Sequence, residues 1–176
     1  MFLNYKPTWK LSAVVQITPA DLKRHGIKAV LADLDNTLIA WDNPTGTKEL
    51  QAWIKTMAEA KIPVVVVSNN NAKRIHRAVT SLGLPYIARA MKPFSFGIRR
   101  AKVQLGLADS EIVMVGDQLL TDMLAANAAH IRTILVHPLE ETDAWNTSIT
   151  RFFEKFFMRH LDREYPELTW RNSLND

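Results

Sequence analysis

Val30-Leu31-Ala32-Asp33-Leu34-Asp35-Asn36-Thr37-Leu38 is the stretch around which the rest of the chain is read. The apolar run from Ala29 to Ala32 has the character of a buried strand, and it ends abruptly in two acidic residues and a threonine. Carboxylates are rarely buried without a partner, because an unpaired charge in an apolar core is costly. At the carboxyl end of a parallel strand, Asp33 and Asp35 would face the crevice where open α/β sheets bind ligands. If the extended geometry persists through Leu34, the period of two gives both side chains one direction. Side by side they repel each other unless something positive joins them, and a hard divalent cation such as Mg²⁺ is the usual solution.

Three readings compete for this stretch. The plainest is a strand followed by a polar turn in which Asp35 and Asn36 bond to the backbone. A calcium loop also opens Asp-x-Asp, but Leu38 stands where that loop needs glycine and Pro44 where it needs glutamate. The third is a phosphoryl-transfer site, in which one aspartate attacks phosphorus and the other handles the proton. The remaining segments separate these readings.

With 176 residues, 47% of them hydrophobic and 23% charged, the chain suits one domain with a substantial core. It has no cysteine, which excludes a disulfide framework, a thiolate zinc site and a cysteine nucleophile. Its five histidines, His25, His76, His130, His137 and His160, show no zinc-ligand spacing. The apolar run Leu11 to Ile17 is short and interrupted by Ser12 and Gln16, so no signal peptide or membrane-spanning helix is expected. A net charge of +4 permits anionic partners without identifying them. The expected location is cytoplasmic, with peripheral contact at the inner membrane surface left open.

Further along, strands and helices alternate. The first segment, through Gln16, reads as a docked irregular arm, and Thr18-Pro19 and Gly26 bracket a short helix. After the aspartate strand, Asn43-Pro44-Thr45-Gly46 forms a turn. Leu50, Trp53, Ile54 and Met57 then mark one helical face. Val64 to Val67 is a β-branched run suited to a central parallel strand. A helix burying Ile75, Ala78, Val79 and Leu82 follows, then a weak strand, Leu84 to Ala90, and a helix ending near Leu105. Ile112 to Val115 and Thr133 to Val136 are strands flanking a helix from about Leu120 to Ala129. The pattern predicts an α/β fold with a doubly wound parallel sheet. Its expected parts are an arm and short helix over 1–28, a core over 29–140 and a helical tail over 141–176.

The residues just after each strand carry the chemistry. They are Asp33, Asp35 and Thr37, then Ser68 and Asn69, then Lys92, then Gly116, Asp117 and Asp122. In a parallel sheet all these ends open on one edge. Metal-binding carboxylates, a hydroxyl donor and a lysine are what a phosphate monoester site requires. Each residue also has a plain alternative: Ser68 as a helix cap, Lys92 as a solvated lysine, Gly116-Asp117 as a turn, and Asp122 as an exposed first-turn residue. Four such coincidences at successive strand ends are less economical than one shared site.

These residues resemble the four motifs of the haloacid dehalogenase-like (HAD) superfamily of phosphatases. Asp33, Asp35 and Thr37 match the first motif, Ser68 the second, Lys92 the third, and Gly116, Asp117 and Asp122 the fourth. Dehalogenase members lack the second aspartate, so Asp35 favours phosphatase chemistry. The resemblance implies that Asp33 is the nucleophile and Asp35 the acid and base. It implies Mg²⁺ held by Asp33, by Asp35 through its backbone carbonyl, and by Asp117. Ser68, Lys92 and the Asn69 backbone would hold phosphate, Thr37 would fix the loop, and Asp122 would orient Lys92 or metal-bound water. Within the superfamily the chain resembles the YqeG-type proteins, a group similar to the mitochondrial phosphatidylglycerophosphate phosphatases.

Many HAD enzymes carry a cap domain after the first motif or between the second and third, and here neither gap has room for one. An open crevice suits a bulky or surface-presented substrate. In the tail, Arg151, Lys155, Arg159 and Arg163 recur every four residues as a basic stripe, and Phe152, Phe153, Phe156, Phe157 and Leu161 supply a broad apolar face. Such a helix either packs on the core with a solvated charged side or lies in an anionic membrane interface, its charge diluted by Glu154, Asp162 and Glu164. The expected substrate is a phosphomonoester, either an anionic phospholipid such as phosphatidylglycerophosphate or a soluble ester. A non-catalytic binding protein on the same fold is a distant alternative, since every catalytic position is filled. Nucleic-acid binding rests only on charge and is not expected.

Overall fold

In the computed structural model, residues 4–140 and 148–174 are described. The strands are β1 (Trp9–Leu11), β2 (Ala29–Ala32), β3 (Val64–Val67), β4 (Tyr86–Ile87), β5 (Ile112–Gly116), β6 (Arg132–Val136) and β7 (Trp170–Arg171). They form one sheet in the order β4-β3-β2-β5-β6-β1-β7, and every pairing is parallel. The helices are α1 (Pro19–Arg24), α2 (Lys48–Glu59), α3 (Ala72–Val79), α4 (Phe96–Leu105), α5 (Leu124–Ala128) and α6 (Ser148–Glu164). Local signals set their ends: the side chains of Thr18, Thr47 and Asn71 accept from backbone N–H groups of α1, α2 and α3, and left-handed Gly106 closes α4.

Strand alternation divides the core between the two faces. Val30, Ala32, Val64, Val66, Val113 and Val115 pack with Leu22, Trp53, Met57 and Ile75 on the α1–α3 side. Leu31, Val65, Val67 and Met114 pack with Ile98, Ala101 and Ala125 on the α4–α5 side. This is the doubly wound sheet that the sequence predicts. From β2 the chain winds outward to β3 and β4, then returns to β5 on the other side of β2. The topological switch point therefore lies between β2 and β5. Among the described residues, neither gap between motifs carries an inserted cap.

Two expectations need correction. The amino-terminal segment is not wholly irregular, because β1 pairs with β6 along Trp9–Leu11 and with β7 on its other side. The strand is short, and its central Lys10 is buried against Asp162 at 2.7 Å, which hides it from any hydrophobic pattern. The segment after β5 is not a plain helix, since a π-helical turn over Leu119–Met123 precedes α5. The weak third strand shrinks to Tyr86–Ile87. Of the expected tail, 141–147 lie outside the described residues.

Candidate active site

β2 ends at Ala32, and the next three residues turn across the carboxyl edge of the sheet. Asp33 stays tied to the neighbouring strand through its N–H, which donates to Val115 O at 2.9 Å. Its carboxylate accepts from Lys92 Nζ at 2.7 Å. The same ammonium donates to Asp122 Oδ1 at 2.7 Å and to Val67 O at 2.9 Å. Lys92 is therefore no solvated lysine: its side chain is 3% exposed and that of Asp122 1%. The π-helical turn brings Asp122 inward, where its Oδ2 accepts from Gln118 N at 3.2 Å. Gly116 leaves the space for it, since a Cβ there would lie 2.3 Å from Asp122 Oδ2.

Asp117 completes the cluster. Carboxylate oxygens of Asp33, Asp117 and Asp122 lie within 4.8 Å of one another. Burial raises Asp33 to about 7, with the Asp122 and Asp35 charges adding to the rise and Lys92 opposing it. Burial, then Asp122 and Asp33, hold Asp117 well above the usual carboxylate range, against the hydrogen bond from Thr37 Oγ1 at 3.1 Å. Burial alone would lower the Lys92 ammonium, but Asp122 and Asp33 outweigh it and raise it. Lys92 thus pairs with two of the three clustered carboxylates, and the remaining negative charge fits a hard divalent cation held by oxygen ligands.

The remaining predicted residues fall around this cluster. Ser68 does not cap α3, because Asn71 does. Ser68 is buried, and its Oγ accepts from Asn70 N at 3.2 Å. The Asn69 side chain brackets the Lys92 backbone, accepting from its N–H at 2.8 Å and donating to its carbonyl at 2.9 Å. Asp35 points its carboxylate to other partners than Asp33 does. It accepts from Asn70 Nδ2 at 2.6 Å and from Arg74 at 3.0 Å, and the Arg74 guanidinium lies 3.9 Å over the Trp41 ring. The condition for a common direction of Asp33 and Asp35, an extended backbone through Leu34, is not met, because β2 stops at Ala32.

The sequence does not point to Asn70 or Arg74 as site residues, and it shows Glu154 only as an acid diluting the charge of the tail helix. Asn70 and Arg74 could have been found as polar residues just past a strand carrying a motif serine. Glu154 had no such signal. It reaches from α6 to accept from Leu119 N at 3.0 Å and Leu120 N at 2.8 Å, so it holds the start of the π-helical turn rather than lining an open charged stripe.

A parallel α/β sheet with carboxylates, serine and lysine gathered at its switch point defines a class, the HAD-like hydrolases. Residues 90–147 match the family described as HAD-hydrolase-like. The chain is 39% identical over 151 residues to the Bacillus subtilis (strain 168) protein named Probable phosphatase YqeG, covering 86% of this chain and 88% of that one. It is 26% identical over 147 residues to the chloroplastic phosphatidylglycerophosphate phosphatase 1 of Chlamydomonas reinhardtii, covering 78% of this chain and 55% of that protein. An uncharacterized protein from Listeria monocytogenes serotype 4b shares the fold, with a TM-score of 0.53 at 18% identity over 69% of this chain and 87% of that one. The chain belongs to the YqeG-type family of the HAD superfamily, and so to the phosphatases.

Proposed function

We propose that this phosphatase hydrolyses a phosphomonoester through an aspartyl-phosphate on Asp33, with Mg²⁺ as its metal. The observation that carries this reading is the carboxylate cluster, in which Lys92 bridges Asp33 and Asp122 beside Asp117. Asp33 attacks phosphorus and the ester oxygen leaves, which splits one difficult displacement into two easier ones. Asp35 gives its proton to that oxygen, then takes one from the water that hydrolyses the acyl phosphate. Lys92, Ser68 and the Asn69 backbone hold phosphate oxygens, while Asp122 and the Asn69 amide keep Lys92 in position. Thr37 fixes Asp117. Mg²⁺ would be held by Asp33, Asp117 and the Asp35 carbonyl, and when bound it lowers the repulsion between an anionic nucleophile and an anionic phosphate.

The proposed substrate is a phospholipid headgroup monoester such as phosphatidylglycerophosphate. Support comes from the uncapped crevice, the similarity to the algal phosphatase and the outer half of α6. On that helix, Leu161 is buried against Leu119, Met123 and Leu135, while Ile149, Phe152, Phe153 and Phe156 are exposed beside half-buried Arg151 and exposed Lys155. That half can contact a membrane peripherally. Among the described residues no helix is long and apolar enough to cross one.

The test is a phosphate-release screen of the purified protein, with Mg²⁺ and with chelator, on phosphatidylglycerophosphate in mixed micelles beside soluble monoesters. Metal-dependent release from the lipid at the higher kcat/KM is expected. A clear preference for a soluble ester would move the substrate to that class, and undiminished release in metal-free buffer would sink the metal assignment.

A further inference from the structure

The loop that delivers Lys92 inward presents its neighbours outward. Met91 is 57% exposed, Phe94 61% and Phe96 59%, and the Phe94 and Phe96 rings lie 6.1 Å apart. The backbone here is held firmly. Phe94 N donates to Met91 O at 2.8 Å, Gly97 N donates to Ala90 O at 3.0 Å, and Asn69 brackets Lys92. Space is tight as well, since a Cβ on Gly97 would meet Ala90 at 2.5 Å. Trp41 is 42% exposed beneath Arg74.

Charge is distributed as unevenly as the apolar surface. Residues 60–108 hold nine Lys and Arg and no Asp or Glu, so the rest of the chain has 13 basic residues against all 18 acidic ones. This acid-free segment builds the β4 edge of the sheet with α3 on one face and α4 on the other, and Lys73, Arg77, Arg89, Arg99 and Arg100 are exposed there.

We propose that the loop from Met91 to Phe96, backed by this basic flank, docks on an anionic phospholipid bilayer, with the mouth of the site facing the lipid. Clustered exposed apolar side chains in a segment rich in exposed arginine and lysine suit the headgroup boundary, where rings enter the acyl edge and cations meet anionic headgroups. A single-stranded nucleic acid would instead need aromatics spaced along a basic groove. A second copy docked on the same face would set the basic flank against itself. The contact is separate from α6, and it rests on the function proposed above only for what the site does once docked.

The experiment is co-sedimentation of the full chain with vesicles of equal phosphatidylglycerol and phosphatidylcholine, and with phosphatidylcholine alone, at low and high salt. Circular dichroism melting checks each variant. Wild type is expected to favour the anionic vesicles, less so at high salt. Phe94→Ser with Phe96→Ser should weaken anionic binding roughly tenfold without changing the melt. Arg77→Gln with Arg99→Gln should weaken it roughly tenfold at low salt only. A loop variant that binds like wild type overturns the proposal, as does a wild type that sediments equally with both vesicles. If only Phe152→Ser with Phe156→Ser loses binding, α6 is the contact and the loop is not. Binding to a single-stranded oligonucleotide with none to vesicles would overturn it in favour of nucleic acid. Loop-dependent vesicle binding by a protein that releases no phosphate in the screen would support the docking and sink the function alone.

Discussion

Lys92 is the residue on which the site's electrostatics turn. Removing one partner of a buried charge strands the other, which costs about 3–5 kcal/mol, so the lysine and its carboxylates act as a unit. Asp33→Asn keeps the volume and the contact to Lys92 while removing the attacking charge. Phosphate release should fall by roughly a thousandfold or more, with an unchanged dichroism spectrum. Near-normal turnover by that variant would sink the covalent mechanism. Gly116→Ala acts on the same unit from behind, because its Cβ would enter the volume of the Asp122 carboxylate. A loss of about 1–3 kcal/mol in urea unfolding and a raised KM are expected, since Asp122 must shift and Lys92 shifts with it. The motif residues were legible because each stands at a fixed distance past an apolar run. The Asn69 bracket, the Arg74 contact to Asp35 and the Glu154 brace were not, because each joins elements whose relative placement only packing decides.

Legibility fails for another reason among the elements. β2, β3 and β5 are runs of apolar residues, and such strands are read easily because the sheet buries them on both faces. β1 and β7 are three and two residues long, and a buried lysine sits in the first of them. No periodicity can report so short a strand. For α6 the sequence allows both a core face and a membrane face, and the structure divides the helix by length. Its carboxyl half packs through Leu161, with Phe157 and Met158 partly buried, while its amino half leaves its phenylalanines in solvent. Leu161→Ala should therefore cost about 2–4 kcal/mol in a denaturant titration. Phe152→Ser should stay within about 0.5 kcal/mol of wild type. Equal costs at the two positions would mean that the helix packs along its whole length. Glu154→Ala is expected to cost about 1–3 kcal/mol and to lower activity, because it strands the N–H groups of Leu119 and Leu120 behind Asp117.

At the scale of the molecule, the site sets how stability depends on pH. Asp33 titrates at about 7 in the metal-free fold, and Asp117 is also raised well above its ordinary value. In the unfolded chain both would lose their protons near pH 4. Between roughly pH 4 and 7 the fold therefore holds protons that the unfolded chain has released, and the stability due to these groups falls as pH rises through that window. A divalent cation bound to the carboxylates displaces those protons, so its affinity increases with pH. Because the ion binds the folded state, its stabilisation follows the same trend. Saturating Mg²⁺ should then raise Tm more at pH 8 than at pH 6, while metal-free protein melts lower at pH 8 than at pH 6. Asp117→Asn removes one charge from the cluster, so it should reduce the Mg²⁺ increment and flatten the metal-free dependence. Calorimetric melts of both proteins at the two pH values, with chelator and with Mg²⁺, make the comparison without any substrate. An Mg²⁺ increment equal at the two pH values would mean that the carboxylates are already ionised in the metal-free fold, with their charge balanced by protein groups alone.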